Sequence, residues 1–151
     1  MCLYVYKHDH ERFLDKYGKH SFIMAYKVVK LSVGYNATRR LVGPYQESHR
    51  YQRGENKSNR LDKYVSWSRD YGVYPYAIIN KGIHVCLTAE AAEQVRRETS
   101  SGEAPERQER YRIIKVRCYM KDCIAGSLEG NLAAFMTIHI SRDEYRKGTR
   151  Q

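Results

Sequence analysis

Three segments in which apolar residues recur at every second position constrain the fold of this chain more than any other feature. They are Ser21–Val33, Tyr111–Met120 and Leu132–Ile140. A period of two residues is typical of half-buried β-strands, because successive side chains of a strand point to opposite faces of the sheet. Val28 and Val29 add β-branched weight to the first segment, which we interpret as one long strand or a pair of strands.

Further strands are predicted on both sides of a short turn. Tyr76–Ile79 and Ile83–Leu87 are apolar runs separated by Asn-Lys-Gly, and the turn favours a left-handed conformation at Gly82. Cys2–Tyr6 is a short run with strand propensity. These runs bring the predicted sheet to about six strands.

One helix is predicted with clear end signals, from Ala89 to about Thr99. Thr88 is a good N-cap, with acidic residues following it and two arginines near the end of the helix. We interpret His8–Glu11 as a solvated polar loop, Lys121–Asn131 as a loop and the tail from Ser141 as a surface segment. At 151 residues the chain is expected to form one α+β domain, a mostly antiparallel sheet with one or two helices packed on it.

A basic segment of low regularity, from about residue 35 to 70, directs the functional hypothesis. The whole chain has 27 Lys and Arg against 17 Asp and Glu, a net charge of +10, which favours anionic partners. We interpret the segment as a long basic loop or lid that meets phosphates, with a solvated disordered insertion as the alternative. Its candidate ligand-binding arginines are Arg39, Arg40, Arg50, Arg53, Arg60 and Arg69.

Aromatic residues follow the arginines closely. Tyr64, Trp67, Tyr71, Tyr74 and Tyr76 fall within one short window. Arginine and lysine neutralise phosphates while aromatic rings stack on bases. Trp67, Tyr71 and Tyr74 are therefore predicted as ligand-binding residues, and the alternative is that such rings pack the core.

Histidines offer a second chemistry. His139-Ile140-Ser141 resembles the H-x-[S/T] element of the two-histidine phosphoesterases, in which one histidine acts as base and another as acid. Among possible second elements, His84-Val85-Cys86 has Cys where Ser or Thr is required. The alternative catalytic set is thus His84, His139 and Ser141, weighed against half-buried sheet histidines.

Several classes of function lack their motifs. Cys118 and Cys123 do not have the spacing of a zinc site, and His8–Glu11 has no distant residue to complete a metal site, so no metal and no cofactor are expected. The N-terminus has no long apolar run of a signal peptide, and no stretch of about 20 apolar residues could cross a bilayer. We therefore expect a cytoplasmic chain with reduced thiols and no membrane association.

Short motifs across most of the chain resemble those of a group of small phage and prokaryotic proteins. They are Met1–Tyr4, Ala25–Val29, Gly43–Tyr45, Lys81–Val85 before the Thr88-capped helix, Arg112–Arg117 and Gly130-Asn131. This resemblance implies a counter-defence role in the host cytoplasm of an infected bacterium. Gly82–Val85 leading into a helix also resembles ADP-ribosyltransferase-like folds, but the signature residues of that family are not in recognisable order.

Three functions follow, in this order. The first is a non-catalytic binder of a phosphate-rich ligand, a nucleotide signal or a nucleic acid, which would be sequestered. The second is an enzyme that cleaves a phosphodiester or nucleotide by histidine acid–base chemistry. The third is an interaction protein that blocks an acidic surface of a host protein.

Overall fold

The computed structural model describes residues 2–45, 47–60, 62–69 and 74–150. Across these residues, eleven strands and four α-helices form an α+β fold in which every strand pair is antiparallel, as the sequence predicts. The strands are β1 (Leu3–Tyr6), β2 (Phe22–Val33), β3 (Arg39–Val42), β4 (Arg50–Tyr51), β5 (Gly54–Lys57), β6 (Tyr76–Ile79), β7 (Ile83–Cys86), β8 (Tyr111–Tyr119), β9 (Cys123–Ser127), β10 (Leu132–Phe135) and β11 (Thr137–Ile140). The helices are α1 (Lys7–Tyr17), α2 (Ala89–Ser100), α3 (Pro105–Gln108) and α4 (Arg142–Thr149).

The main sheet is organised around β2, a single long strand. β8 pairs with β2 from Phe22 to Lys30, while β7 and β3 pair with its other edge. The order of the sheet is β5-β11-β8-β2-β7-β10-β9, with β3 and β4 attached beside β2. β1 and β6 pair with each other in a separate two-stranded sheet.

The prediction of one strand over Leu132–Ile140 is wrong, because the chain changes neighbours at Met136. β10 pairs with β7 and β9, whereas β11 pairs with β8 and β5 on the opposite side of β2. The amide of Met136 donates to Asp122 O, just before β9, and its carbonyl accepts from Ser58 N, just after β5, so this one residue is bonded to both halves of the sheet. The sheet therefore curls until its two halves meet at this residue.

The largest apolar core fills the inside of this curl. β2 contributes Ile23, Ala25, Val29 and Leu31, which are all buried. The surrounding elements contribute residues of the same kind, among them Phe13, Leu41, Ile83, Val85, Ile114, Val116, Phe135, Ile138 and Ile140. α2 packs on the outer face, where Ala92 meets Val28 and Cys86. The β1–β6 sheet packs a second cluster against β9 and β10.

Two segments interpreted as loops contain regular structure, which corrects those predictions, and the tail interpreted as a surface segment forms a helix whose side chains are mostly exposed. His8–Glu11 lies in α1, where Asp9 is buried and accepts hydrogen bonds from Ser127 Oγ (2.5 Å) and Leu128 N (3.0 Å). Lys121–Asn131 contains β9. The tail from Ser141 forms α4, capped by Ser141 Oγ, which accepts from Glu144 N at 3.2 Å. Each element is stabilised by contacts with residues distant in the sequence.

Two predictions from short sequence signals, a helix cap and a turn glycine, are confirmed. Thr88 Oγ1 accepts from Ala91 N at 3.1 Å and begins α2, as predicted. Gly82 has a φ of +82° between β6 and β7, also as predicted. The basic segment from 35 to 70 contains three short strands, β3, β4 and β5, which place it beside β2 and β11.

Candidate functional site

A lysine interrupts the apolar row that β2 turns toward the core. Lys27 lies between Ala25 and Val29 in the alternation, and both of these neighbours are fully buried. Lysine is seldom buried without a partner, because its ammonium group loses hydration there. The sequence pattern already shows Lys27 in this row, but a position in an alternation does not reveal what its amine reaches.

The amine of Lys27 reaches a pocket at the edge of the core. Nζ donates a hydrogen bond to the carbonyl oxygen of His84 at 2.8 Å and lies 5.8 Å from the ring centre of Tyr51. Among the described residues, no carboxylate lies within ion-pair distance of Nζ. The charge of Lys27 is therefore uncompensated within this part of the chain.

The pocket has a volume of about 310 Å³. One wall is the connection between β3 and β4, another is Tyr51, and the third is the turn that leads into β7. Its lining residues are Lys27, Gly43, Pro44, Tyr45, His49, Tyr51, Asn80, Gly82, Ile83 and His84. A side chain at Gly82 would collide with Ile124, since a Cβ there would lie 2.4 Å from Ile124 Cδ1. Glycine thus permits both the turn and the close packing beneath the pocket.

The titration of these groups follows from their burial. Loss of hydration lowers the pKa of the Lys27 amine to about 8. Burial, followed by the nearby charge of Lys27, lowers the pKa of His84 to about 4 and also lowers the pKa of His49. At neutral pH the pocket therefore holds one ammonium group beside two neutral imidazoles.

Each group has a defined chemical capacity. His84 Nε2 lies 3.2 Å from the carbonyl of Lys81, which can only accept, so Nε2 carries the proton of the neutral ring. An ammonium group in a poorly hydrated pocket attracts an anion more strongly than the same group in water. An amine with a lowered pKa can also accept a proton near neutral pH. The arrangement can bind an anion and can transfer protons.

The predicted arginines do not converge on one site. The guanidinium of Arg39 donates to Thr149 O at 3.2 Å and fastens β3 to α4, while Arg60 lies 4.0 Å from Asp62. Arg50 lines a polar depression of about 340 Å³ that shares His49 with the Lys27 pocket. The remaining candidates are exposed on the surface, namely Arg40, Arg53 and Arg69.

Of the predicted aromatic residues, Trp67 and Tyr74 lie near the β1–β6 sheet. Trp67 is half-buried against the cluster of that sheet, with its ring 5.6 Å from His10. Tyr74 is exposed, and its ring lies 5.4 Å from His8. Tyr71 lies outside the described residues. Trp67 and Tyr74 are not among the residues that line the Lys27 pocket.

The alternative catalytic residues are also apart. His84 lines the Lys27 pocket, whereas His139 lies on β11, on the outer face of the sheet, with its ring 5.0 Å from that of Tyr119. β2 and β8 lie between the two strands. Ser141 caps α4. The geometry does not place the two histidines opposite each other; the pocket instead brings His49, which the sequence did not single out, beside His84.

The thiols of three cysteines lie in or beside the apolar core, where they are poorly reactive. Burial raises the pKa of Cys86 to about 11 and that of Cys123 to about 12, and it raises the pKa of Cys118 as well. Over residues 2–45, 47–60, 62–69 and 74–150, no three His, Cys, Asp or Glu side chains are grouped to hold a metal ion. Within the same residues, every helix is too short or too polar to traverse a bilayer.

Comparison with known proteins adds no relative to this description. No protein-family model matches the chain, and neither a curated protein nor a solved structure shows significant similarity to it.

Proposed function

We propose that the chain binds a small phosphate-bearing ligand of nucleotide size in the Lys27 pocket. The observation that carries the proposal is the amine of Lys27, a partly buried cation without a carboxylate at ion-pair distance in the described part of the chain. A phosphate oxygen would provide the missing counter-charge. The volume of about 310 Å³ lies at the small end of the range typical of ligand pockets.

The surroundings of the amine support a nucleotide over a simple ion. Tyr45, which is exposed, contributes an aromatic ring against which a base can stack. Asn80 and the neutral imidazoles of His49 and His84 supply groups for hydrogen bonds to sugar or base. The net charge of +10 attracts anions from a distance. The proposed ligand belongs to the phosphate-rich class that the sequence predicts, but the proposed site is at Lys27 and not at the exposed arginines.

Sequestration of a nucleotide signal in the cytoplasm of an infected bacterium is the biological role that this proposal includes. It rests on the resemblance to small phage proteins and on the pocket chemistry. A binder of this kind releases its ligand unchanged.

The test is calorimetric titration with linear and cyclic mononucleotides. We expect saturable binding by the native protein and at least tenfold weaker binding by Lys27→Met, which keeps the length of the side chain and removes its charge. Lys147→Met, at an exposed position of α4, is the matched control and should bind as the native protein does. Equal binding by Lys27→Met and the native protein would reject the pocket.

An enzyme that acts on a nucleotide is the second candidate. The lowered pKa of Lys27 and the adjacent neutral His49 favour it, because both groups can exchange protons near neutral pH. Mass spectrometry of each nucleotide after incubation distinguishes the two candidates. A product that His49→Ala abolishes would identify an enzyme, and a ligand recovered intact would identify a binder.

A further inference from the structure

A surface of aromatic, apolar and basic side chains lies on the outer face of the main sheet, apart from the Lys27 pocket. Residues directly opposite on paired strands project from the same face. Phe22 of β2 lies opposite Tyr119 of β8, and Met24 lies opposite Arg117. Arg117 in turn lies opposite His139 of β11. These side chains therefore form one surface, on the face of the sheet that points away from the core and from Lys27.

This surface is grooved. Three adjoining depressions, with volumes of about 590, 470 and 220 Å³, all include Tyr119 in their linings. His139 lines the first and the third, and Lys121 lines the first and the second. The three depressions thus form a continuous track past Tyr119. Phe22 and Met24, at its border, are 40% and 49% exposed, which is unusual for large apolar side chains on a sheet.

The groove has an excess of positive charge. Its described lining residues include four cations, Lys57, Lys115, Arg117 and Lys121, against two carboxylates, Glu55 and Asp122. In the part of the chain that the structure describes, none of these four cations forms an ion pair.

Two of the cations contact aromatic rings. The guanidinium of Arg117 lies 4.5 Å from the ring centre of Phe22, and the amine of Lys121 lies 5.9 Å from that of Tyr119. Cation and ring are therefore paired at two points along the groove.

We propose that this groove binds single-stranded nucleic acid. Aromatic rings on a sheet can stack unpaired bases, and the lysine and arginine side chains along the groove can neutralise the phosphates between them. A duplex keeps its bases stacked on each other, so it offers the rings no partner. An acidic peptide would use the cations but would leave the exposed rings unused. This proposal is independent of ligand binding at Lys27.

The test measures fluorescence anisotropy of a labelled single strand of about 12 nucleotides, oligouridylate or oligothymidylate, at several salt concentrations. The double substitution R117Q/K121Q should reduce the slope of log affinity against log salt by about 1.4, because each phosphate contact contributes about 0.7. R146Q/K147Q, on the exposed surface of α4, removes the same charge and should leave the slope unchanged. Equal slopes for the two double variants would overturn the proposal.

Stacking has its own test. Tyr119→Leu should weaken binding by about 5- to 150-fold, and Tyr119→Phe, which keeps the ring, should bind as the native protein does. If Tyr119→Leu does not fold, Phe22→Ser, at an exposed position, tests the same ring surface. Equal affinity for a hairpin duplex, or displacement of the strand by polyglutamate at matched charge, would overturn the preference for single strands. Lys27→Met should bind the oligonucleotide normally, which separates this groove from the nucleotide pocket.

Discussion

Lys27 Nζ and the carbonyl oxygen of His84 are 2.8 Å apart, and this hydrogen bond fixes an ammonium group at the edge of the apolar core. A carbonyl oxygen supplies only part of the stabilisation that water gives to a charge. The lowered pKa of Lys27 expresses the same deficit. The buried charge of Lys27 thus lowers the free energy of unfolding, and such a loss is common at residues that bind ligands.

Lys27→Met is expected to stabilise the ligand-free protein. At pH 7 the native amine is charged in both the folded and the unfolded chain, and the folded chain holds that charge less favourably. Removal of the charge should increase the free energy of unfolding by about 1–3 kcal/mol. Urea denaturation of the native protein and the variant measures this difference.

The stabilisation should also depend on pH in a defined direction. The folded pKa is about 8, below the ordinary value of 10.5, so the unfolded chain binds more protons between these two values. The native protein therefore recovers stability from Lys27 as pH rises above 8, and the advantage of Lys27→Met should shrink by pH 10. Lys147→Met controls for the titration of other groups. A difference that is constant from pH 7 to pH 10 would contradict the assignment.

Ligand affinity should fall at alkaline pH for the same reason. Adenosine 3′,5′-cyclic monophosphate is a suitable probe, because its phosphodiester does not titrate in this range. Loss of the Lys27 proton should weaken its binding by about tenfold between pH 7 and pH 9. Calorimetry in buffers of different ionisation enthalpy should also show proton uptake on binding above pH 8. Affinity that does not change with pH would place the phosphate away from Lys27.

Asp9 is expected to stabilise the fold from within α1. Its carboxylate accepts hydrogen bonds from Ser127 Oγ, Leu128 N and Glu129 N, and it is buried. Asp9→Ala leaves these donors without their acceptor and should lower the free energy of unfolding by about 2–4 kcal/mol. Asp15→Ala, at an exposed position of the same helix, should change it by less than about 0.5 kcal/mol. Chemical denaturation compares the two variants, and similar changes in both would contradict the stabilising role of the Asp9 hydrogen bonds.

Thiol reactivity should separate one cysteine from the other three. Cys2 is exposed, while Cys86 and Cys118 are buried and Cys123 is half-buried. Because the thiolate is the reactive form, the raised pKa values of these three slow their alkylation in addition to their burial. Iodoacetamide at pH 7.5 should modify Cys2 first. Mass spectrometry of the peptides at successive times measures the order of modification. Cys2→Ser should abolish this fast phase, and rapid modification of Cys118 would argue against the core arrangement.

The sequence by itself determined those features that depend on neighbouring residues. Alternation identified β2 and β8, since each lies with one face on the core. The Thr88 hydroxyl and the conformation of Gly82 were predictable because capping and turn chemistry act over a few residues. The α+β class followed from these elements together.

Only the tertiary structure decided where the chain changes partners and where its polar groups meet. The break at Met136 depends on Asp122 and Ser58, and α1 depends on the contact of Asp9 with the turn after β9. The Lys27 pocket assembles groups from β2, β4 and the turn before β7, which are distant in the sequence. Local propensity cannot predict such contacts, because they stabilise the protein only after the curled sheet has closed around its core. The arginines, by contrast, were conspicuous in the sequence, yet their side chains remain spread over the surface because solvation favours exposed charge.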